Sequence, residues 1–522
     1  MPIRMGWLGL LRMMEALMPS RNRPSKTHTH AKAASTKQKR PVSQAPVQAH
    51  SPAAVTTTPP NYAQSLPVVN RHAAGIDVGA ASHWVCVGGT PDGSDPVREF
   101  SAFTQGLQDI VTWLQACSVT TVAMESTGIY WVPLYERLDS EGFEVLLVDP
   151  SDTKPVQGRP KTDRRDCQWI QRLHAHGLLA AAFRPDEQTC VLRSYLRLRA
   201  NHVRYAGQHI QPRQKALEQM HLKRPEVVSD LTGVTGMQII QAILRGEHDP
   251  VPWAKYRDRR CHNSEETIAQ AWNGSSRDEH LCALQHAVDC WECSQQKISE
   301  LDVVIQTHLH RLKKAPPLPP LPPKPRVRTR TPHEPRFDVR TALSDVTGVD
   351  LTASAGSDEL TALTVISEIG TDMTRWATVK HFCSWLGLCP QHKQSGGKIK
   401  SSRTRPGVNR AAAALCVAAS RLHRNKNALG AYFRRRKSRL GTPKAVTATA
   451  HTLARILYHT LRYGHAYVKK TQEEYDALMR DRQIKTRTRR ASMRGFEVVE
   501  RVPPRPLHGA PADQESTPAP TA

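Results

Sequence analysis

Ala73-Ala74-Gly75-Ile76-Asp77-Val78-Gly79 is the stretch on which the fold turns. It is apolar enough for a strand buried on both faces, yet it carries one carboxylate, Asp77. A charge in such a strand is costly unless it is paired or binds a cation. Trp84-Val85-Cys86-Val87 follows as a second β-prone run, and Gly75 and Gly79 bracket the first. Asp77 is therefore expected at the rim of a hairpin.

Outward from that hairpin, strand and helix patterns alternate over residues 71–188. A helix is expected near Gly106 to Ala116, then an apolar strand Thr120 to Met124 ending at Glu125. A second helix near Tyr130 to Ser140 leads to the strand Phe143 to Val148. Such alternation reads as an α/β domain with a largely buried sheet. The segment Lys161-Thr162-Asp163-Arg164-Arg165-Asp166 then opens a further helix, with Thr162 as N-cap and Trp169, Ile170 and Leu173 as its apolar face. A spacing of three puts Asp163 and Asp166 on one side. They either favour the helix N-terminus and pair with Arg164 and Arg165, or they join Asp77 and Glu125 in one site.

Residues 189–312 read as mostly helical. Leu281, Leu284, Val288, Trp291, Ile298, Leu301, Ile305, Leu309 and Leu312 recur at threes and fours, with Gln295 in the remaining seam position. The pattern suits a coiled-coil seam between subunits or an antiparallel pair with the basic helix Val191 to Ile210. Nine of the 21 residues from Ala315 to Pro335 are Pro, which makes 313–338 a stiff extended linker across which two domains need not share a core.

Beyond it, 339–475 forms a second domain, expected to be mainly α. Phe382-Cys383-Ser384-Trp385-Leu386-Gly387-Leu388-Cys389-Pro390 leads to Gln394-Ser395-Gly396-Gly397-Lys398-Ile399-Lys400, read as a flexible cationic loop extended by Arg403 and Arg405. Two Gly let the backbone approach an anion, and Lys and Arg supply countercharge. Ser395 there is either a turn serine or a nucleophile whose phosphate target the cations grip. The run Arg434-Arg435-Arg436-Lys437 is a solvated helix face or a clamp on a nucleic-acid backbone.

The totals narrow the partner. Lys and Arg number 73 against 47 Asp and Glu, a net charge of +26 that calls for a polyanion, DNA first. An anionic membrane surface is the rival, but no run approaches the roughly 18 apolar residues of a spanning helix, and Trp7 to Met18 does not read as a signal peptide, so a cytoplasmic protein is expected. Residues 1–70 carry nine Lys or Arg and one acidic residue, Glu15, and read as a disordered basic arm. Residues 476–522 read as a basic, then Pro-rich and disordered tail. The eleven Cys are scattered; Cys290 and Cys293, and Cys383 and Cys389 with His392, lack the partners of a metal site and are expected to serve as packing.

Four carboxylates, Asp77, Glu125, Asp163 and Asp166, offer the oxygen ligands that Mg²⁺ takes in phosphodiester chemistry. Their D-E-D-D order resembles the RuvC-like (RNase H fold) domain of the insertion-sequence-110 transposases. The stretch Phe382 to Pro390 with Ser395-Gly396-Gly397-Lys398 resembles that family's second, serine-bearing domain. The resemblance implies a DNA recombinase of a mobile element in a bacterial cytoplasm. Asp77, Glu125, Asp163 and Asp166 would hold Mg²⁺, Ser395 would form a covalent phosphoserine link, and Lys161, Arg164, Arg165, Lys398, Lys400, Arg403, Arg405, Arg434, Arg435, Arg436 and Lys437 would face DNA. It also implies a homodimer or tetramer, with an element-encoded guide RNA in some members. The readings that remain beside it are a metal-dependent nuclease or junction resolvase in which Ser395 is structural, an inactive nucleic-acid-binding relic, and an actin-like sugar kinase. That kinase superfamily's first phosphate loop also resembles Gly75 to Gly79.

Overall fold

The computed structural model describes residues 67–150, 153, 162–222, 231–247, 249–256, 263–275, 277–312, 321, 333–354, 356–407, 409–464 and 472–499. Most of the basic arm, most of the Pro-rich linker, the end of the tail and Lys161 lie outside the described residues.

The opening stretch is a strand, β1 (Ala73–Val78), followed by β2 (Ser82–Cys86) and β3 (Val97–Ser101). After α1 (Thr104–Ala116) come β4 (Thr121–Glu125), α2 (Trp131–Ser140) and β5 (Glu144–Val148). The sheet runs β3-β2-β1-β4-β5, antiparallel from β3 to β1 and parallel from β1 to β5. β3 escapes a hydrophobicity reading because only Val97 in it is fully buried and Arg98 and Glu99 are exposed. On one face Ile76, Val78 and Val85 pack with Ile110, Leu114, Leu134 and Leu138 of α1 and α2. The other face is covered by α3 (Asp163–Ala175), whose Cys167 meets Cys86 and Val97 and whose Ile170 meets Ala123 and Val148. Gly75 makes that approach feasible: a Cβ there would lie 2.2 Å from the Gln171 backbone nitrogen. A mixed sheet with helices on both faces is consistent with an RNase H-like domain.

Past α3 the chain is largely helical. α4 (Glu187–Gln208) is followed by α5 (Ile210–Gln219), α6 (Val234–Leu244), α7 (Pro250–Ala254), α8 (Glu265–Ala271) and the long α9 (Asp278–Arg311). The stripe read from the sequence lies inside the chain. Leu284 and Val288 of α9 help close a small core with α5 to α8, while Ile305 and Leu309 pack with Leu192 and Leu196 of α4. His308 Nε2 lies 2.9 Å from the Gln188 carbonyl and Arg199 meets Asp302 further along, so α4 and α9 run antiparallel.

The second domain is built from α10 (Val339–Thr347), α11 (Glu359–Ile369), α12 (Val379–Trp385), a hairpin of β6 (Lys393–Ser395) and β7 (Lys398–Ser401), then α13 (Arg410–Arg421), α14 (Ala428–Leu440) and α15 (Thr442–Tyr463). Asp338, Asp358, Thr378, Asn409 and Asn427 each accept a backbone N–H at a helix start, which fixes these boundaries locally. The expectation that the linker separates two cores does not hold. Leu192, Leu196, Ile305 and Leu309 belong to the same core as Leu363, Phe382, Leu415 and Tyr458. Asp302, 3% exposed, takes Arg199 Nε at 2.6 Å and the Arg336 backbone N–H at 3.1 Å, tying α4 and α9 to the end of the linker. Apolar surface outweighs chain stiffness here, since a rigid spacer fixes reach and not where apolar faces end up.

Two further readings are corrected. The tail does not start as disorder: α16 (Gln472–Ser492) is helical. Acids in its first turn and Arg in its last oppose the helix dipole, an order that a composition reading overlooks. Cys290 and Cys293 are exposed on α9 and not packed, because their positions fall off its apolar stripe, whereas Cys383 is buried as expected.

Candidate active site

β1 and β4 pair in parallel with Ile76 beside Met124, so Asp77 and Glu125 are the next residues of two neighbouring strands. Side chains alternate along a strand. Asp77 is two residues past Gly75 and Glu125 two past Ala123, and both of those residues face α3. The two carboxylates therefore stand side by side on the α3 face, each half-buried. The field of Asp77 reaches that helix: Cys167 is pushed up by its hydrogen bond with Cys86, then by burial, then by charge including that of Asp77.

Asp163 and Asp166 occupy the first turn of α3 behind the Thr162 cap, which accepts the Arg165 N–H at 3.4 Å. Asp166 is four residues before Ile170, which packs on Ala123, so it lies one turn toward the strand ends that carry Asp77 and Glu125. Asp163 is exposed at the helix tip and Asp166 is half-buried. Arg164 pairs with Asp95 at 2.5 Å, so its guanidinium has a partner other than the two neighbouring acids.

Glu125 is anchored through both of its carboxylate oxygens. Thr127 donates its hydroxyl to Oε1 at 3.0 Å and Thr153 donates to Oε2 at 3.1 Å, while Trp169 of α3 donates its indole N–H to the Thr153 carbonyl at 3.1 Å. The sequence reading missed Thr127 and Thr153. Thr153 comes from a loop with no periodic signal, and only the fold brings it to Glu125. Among the described residues no group of three His, Cys, Asp or Glu side chains is close enough to hold a metal ion. Asp77 and Glu125 sit at the ends of neighbouring strands and Asp163 and Asp166 in the first turn of α3, and the donor set is all oxygen, as a hard divalent ion requires.

Ser395 lies elsewhere. The stretch read as a flexible loop is a hairpin: Ser395 pairs with Lys398 across the two-residue turn Gly396-Gly397, whose φ values are +55° and +72°. A turn of this hand matches strand twist and needs positive φ at both positions, so Gly-Gly flanked by short β runs is itself the hairpin signal. Every residue from Gln391 to Lys400 is exposed. Ser395 and Lys398 face each other, Gln394 pairs with Ile399, and Lys400 falls at the register shift before the Lys393–Ser401 pair. Arg403 and Arg405 continue the exposed cationic edge, and the Arg403 carbonyl accepts the Gln391 N–H at 2.8 Å at the hairpin base.

The run on α14 is more structural than its charge indicates. Arg434 Nη1 donates to the carbonyls of Asn425 at 2.8 Å and His423 at 3.2 Å, and Arg436 stacks over Tyr432. Arg434, Arg435 and Arg436 are half-buried and Lys437 is exposed.

Two family models match the chain. One, described as a transposase of the DEDD IS110 kind, covers residues 74–222 and so contains the carboxylate edge. The other, the transposase IS116/IS110/IS902 family, covers residues 350–434 and contains the hairpin. The chain is an IS110-family transposase. No curated protein matches it. As a transposase it is an enzyme that moves DNA, which sets aside the sugar-kinase reading of Gly75 to Gly79; Gly75 is the contact point of α3 on β1. The DEDD domain is one that points to a divalent metal. No helix among the described residues is long and apolar enough to cross a membrane.

Proposed function

We propose that this transposase cuts and rejoins DNA at a site made of two parts, the carboxylates Asp77, Glu125, Asp163 and Asp166 and the nucleophile Ser395. The observation that carries the reading is the row at the end of the sheet, where Asp77 and Glu125 stand on adjacent strands beneath the first turn of α3. Those four residues would hold Mg²⁺, which when bound supplies positive charge to phosphate oxygens. Thr127, Thr153 and Trp169 keep the Glu125 carboxylate oriented before substrate arrives.

Ser395 Oγ attacks a backbone phosphorus, forming the Oγ–P bond as the P–O bond to one sugar breaks. The serine proton ends on the departing sugar hydroxyl, so one phosphodiester replaces another and rejoining needs no outside energy source. Lys398, directly across the hairpin, and Lys400 hold the phosphate by charge. Arg403 and Arg405 extend the contact along the backbone, with Arg165, Arg435 and Lys437 as further cations in reach of bound DNA. A second subunit, in a homodimer or tetramer, would bring its own serine, and an element-encoded guide RNA is the further partner this reading admits.

The test is a Ser395→Ala protein incubated with Mg²⁺ and labelled duplex carrying the element ends. Loss of protein-linked DNA on a denaturing gel, with duplex binding retained, is the expected result. Cleavage that continues without any adduct would overturn the serine chemistry and leave a metal-dependent nuclease.

A further inference from the structure

Helix α16 lies outside both matched segments; it packs on α14 and its second half runs on past that contact. Its first turns are held by Tyr475, which meets Tyr432 of α14 edge-on at 6.5 Å between ring centroids. From Asp481 to Arg490 every residue is exposed, so more than two turns of helix are left uncovered by the described residues. Isolated helical turns are marginal in water, and a helix polar all round needs a partner or dense charge pairing to persist. Pairing in this half of the helix is scarce: Arg480, Arg482, Lys485, Arg487, Arg489 and Arg490 stand against Asp481, with Asp476 four residues before Arg480.

The cations are not spread evenly. At 100° per residue, Arg480, Arg487 and Arg490 fall on one side, and Arg482, Lys485 and Arg489 fall on another about 150° around the axis. Between the stripes on one flank lies Thr486, short enough to let the helix sink. One basic stripe would suit a single phosphate backbone. Two nearly opposed stripes suit a helix lying between two backbones, and the B-DNA major groove, about 12 Å wide, admits a helix of about 10–12 Å with side chains. The major groove of A-form RNA is too narrow for it.

We propose that α16 is a duplex-DNA arm that enters the major groove, with Arg480, Arg487 and Arg490 against one strand and Arg482, Lys485 and Arg489 against the other. It goes beyond the two-part site, since neither the carboxylates nor Ser395 takes part. Charge complementarity selects the occupant: a polyanion with two parallel rows of phosphates.

The experiment uses the full chain without Mg²⁺, so that no cutting intervenes, and B-form duplex DNA or duplex RNA of equal length as probes in fluorescence anisotropy. Two variants replace one stripe each, Arg480→Gln with Arg487→Gln and Arg490→Gln, and Arg482→Gln with Lys485→Gln and Arg489→Gln. Gln keeps helix propensity close to that of Arg and Lys. Each variant should bind duplex DNA about tenfold or more weaker, with the log–log salt slope reduced by roughly 2–3 for three lost phosphate contacts. Guanine N7 atoms shielded from methylation by the wild type should become reactive in both variants. The proposal is overturned if only one stripe affects affinity, if neither does, if N7 shielding persists, or if duplex RNA binding falls in the same proportion.

Discussion

Asp77 stands on a strand buried between neighbours on both sides and helices on both faces, whereas Ser395 stands on a two-stranded hairpin exposed everywhere but at Ser401. Both lie in segments matched to the same family. The carboxylate edge is positioned by packing: Gly75 admits α3, Ile170 seats it on Ala123 and Val148, and Thr153 holds Glu125. The hairpin has no apolar face to bury, and an isolated pair of strands is marginal in water. Its geometry comes from the Gly396-Gly397 turn and the bridge at its base. On the proposed reading a preorganised acidic edge and a lightly held nucleophile would divide the work, the serine reaching a phosphate that the sheet domain does not carry.

The largest expected effect probes the edge alone. Asp77→Asn should lower DNA strand cleavage about 10³-fold or more while leaving duplex binding in place, because the cations lie elsewhere. A variant that cuts normally in a gel assay would remove Asp77 from the site and break the contrast.

Next comes the frame that joins the regions. Asp302→Ala strands the Arg199 guanidinium, itself 3% exposed, without its carboxylate. A loss of about 3–5 kcal/mol is expected, read as a lowered urea midpoint. A loss below about 1 kcal/mol, no more than a surface pair contributes, would mean that the α4–α9 pair does not depend on this contact.

The same substitution at two glycines sharpens the comparison. Gly75→Ala drives a methyl group into the α3 backbone, and about 1–3 kcal/mol of destabilisation with impaired cleavage should follow. Gly396→Ala meets nothing within 4 Å and carries only the strain of φ +55°, about 1 kcal/mol, confined to the hairpin. Thermal unfolding of the two variants separates them; equal shifts would show that the hairpin is tied into the core.

The smallest effect is in pH. Burial holds His174 and His83 below a histidine's usual 6.5, so the native state resists protonation that the unfolded chain accepts. Their stabilising effect is complete above about 6.5 and is lost as pH falls from there toward the folded values. His174, whose Nε2 lies 2.9 Å from the Thr121 hydroxyl, belongs to the sheet side. Unfolding of the sheet domain should shift to lower denaturant between pH 7 and 5, and His174→Gln should flatten that shift. An unchanged slope would assign the pH dependence to other groups.

Read without a structure, the chain already discloses the alternation of strand and helix over 71–188, the Thr162 cap and the order of the four acids, since each rests on neighbours a few residues apart. The hairpin around Ser395, expected as a flexible loop, has its signal in the Gly-Gly pair between short β runs. Thr153 was not legible, nor the pairing of Arg164 with Asp95, nor the anchoring of Arg434 on loop carbonyls.

The sequence by itself determined the residue types, the order Asp77, Glu125, Asp163, Asp166, Ser395 and the +26 charge that selects a polyanion. Tertiary structure alone decided that Asp77 and Glu125 stand in one row, that α4 and α9 join the second domain's core across the proline spacer, and that the second half of α16 is left exposed. The physical reason is range: caps, turns and periodicity act over a few residues, while strand register and burial join positions tens to hundreds of residues apart.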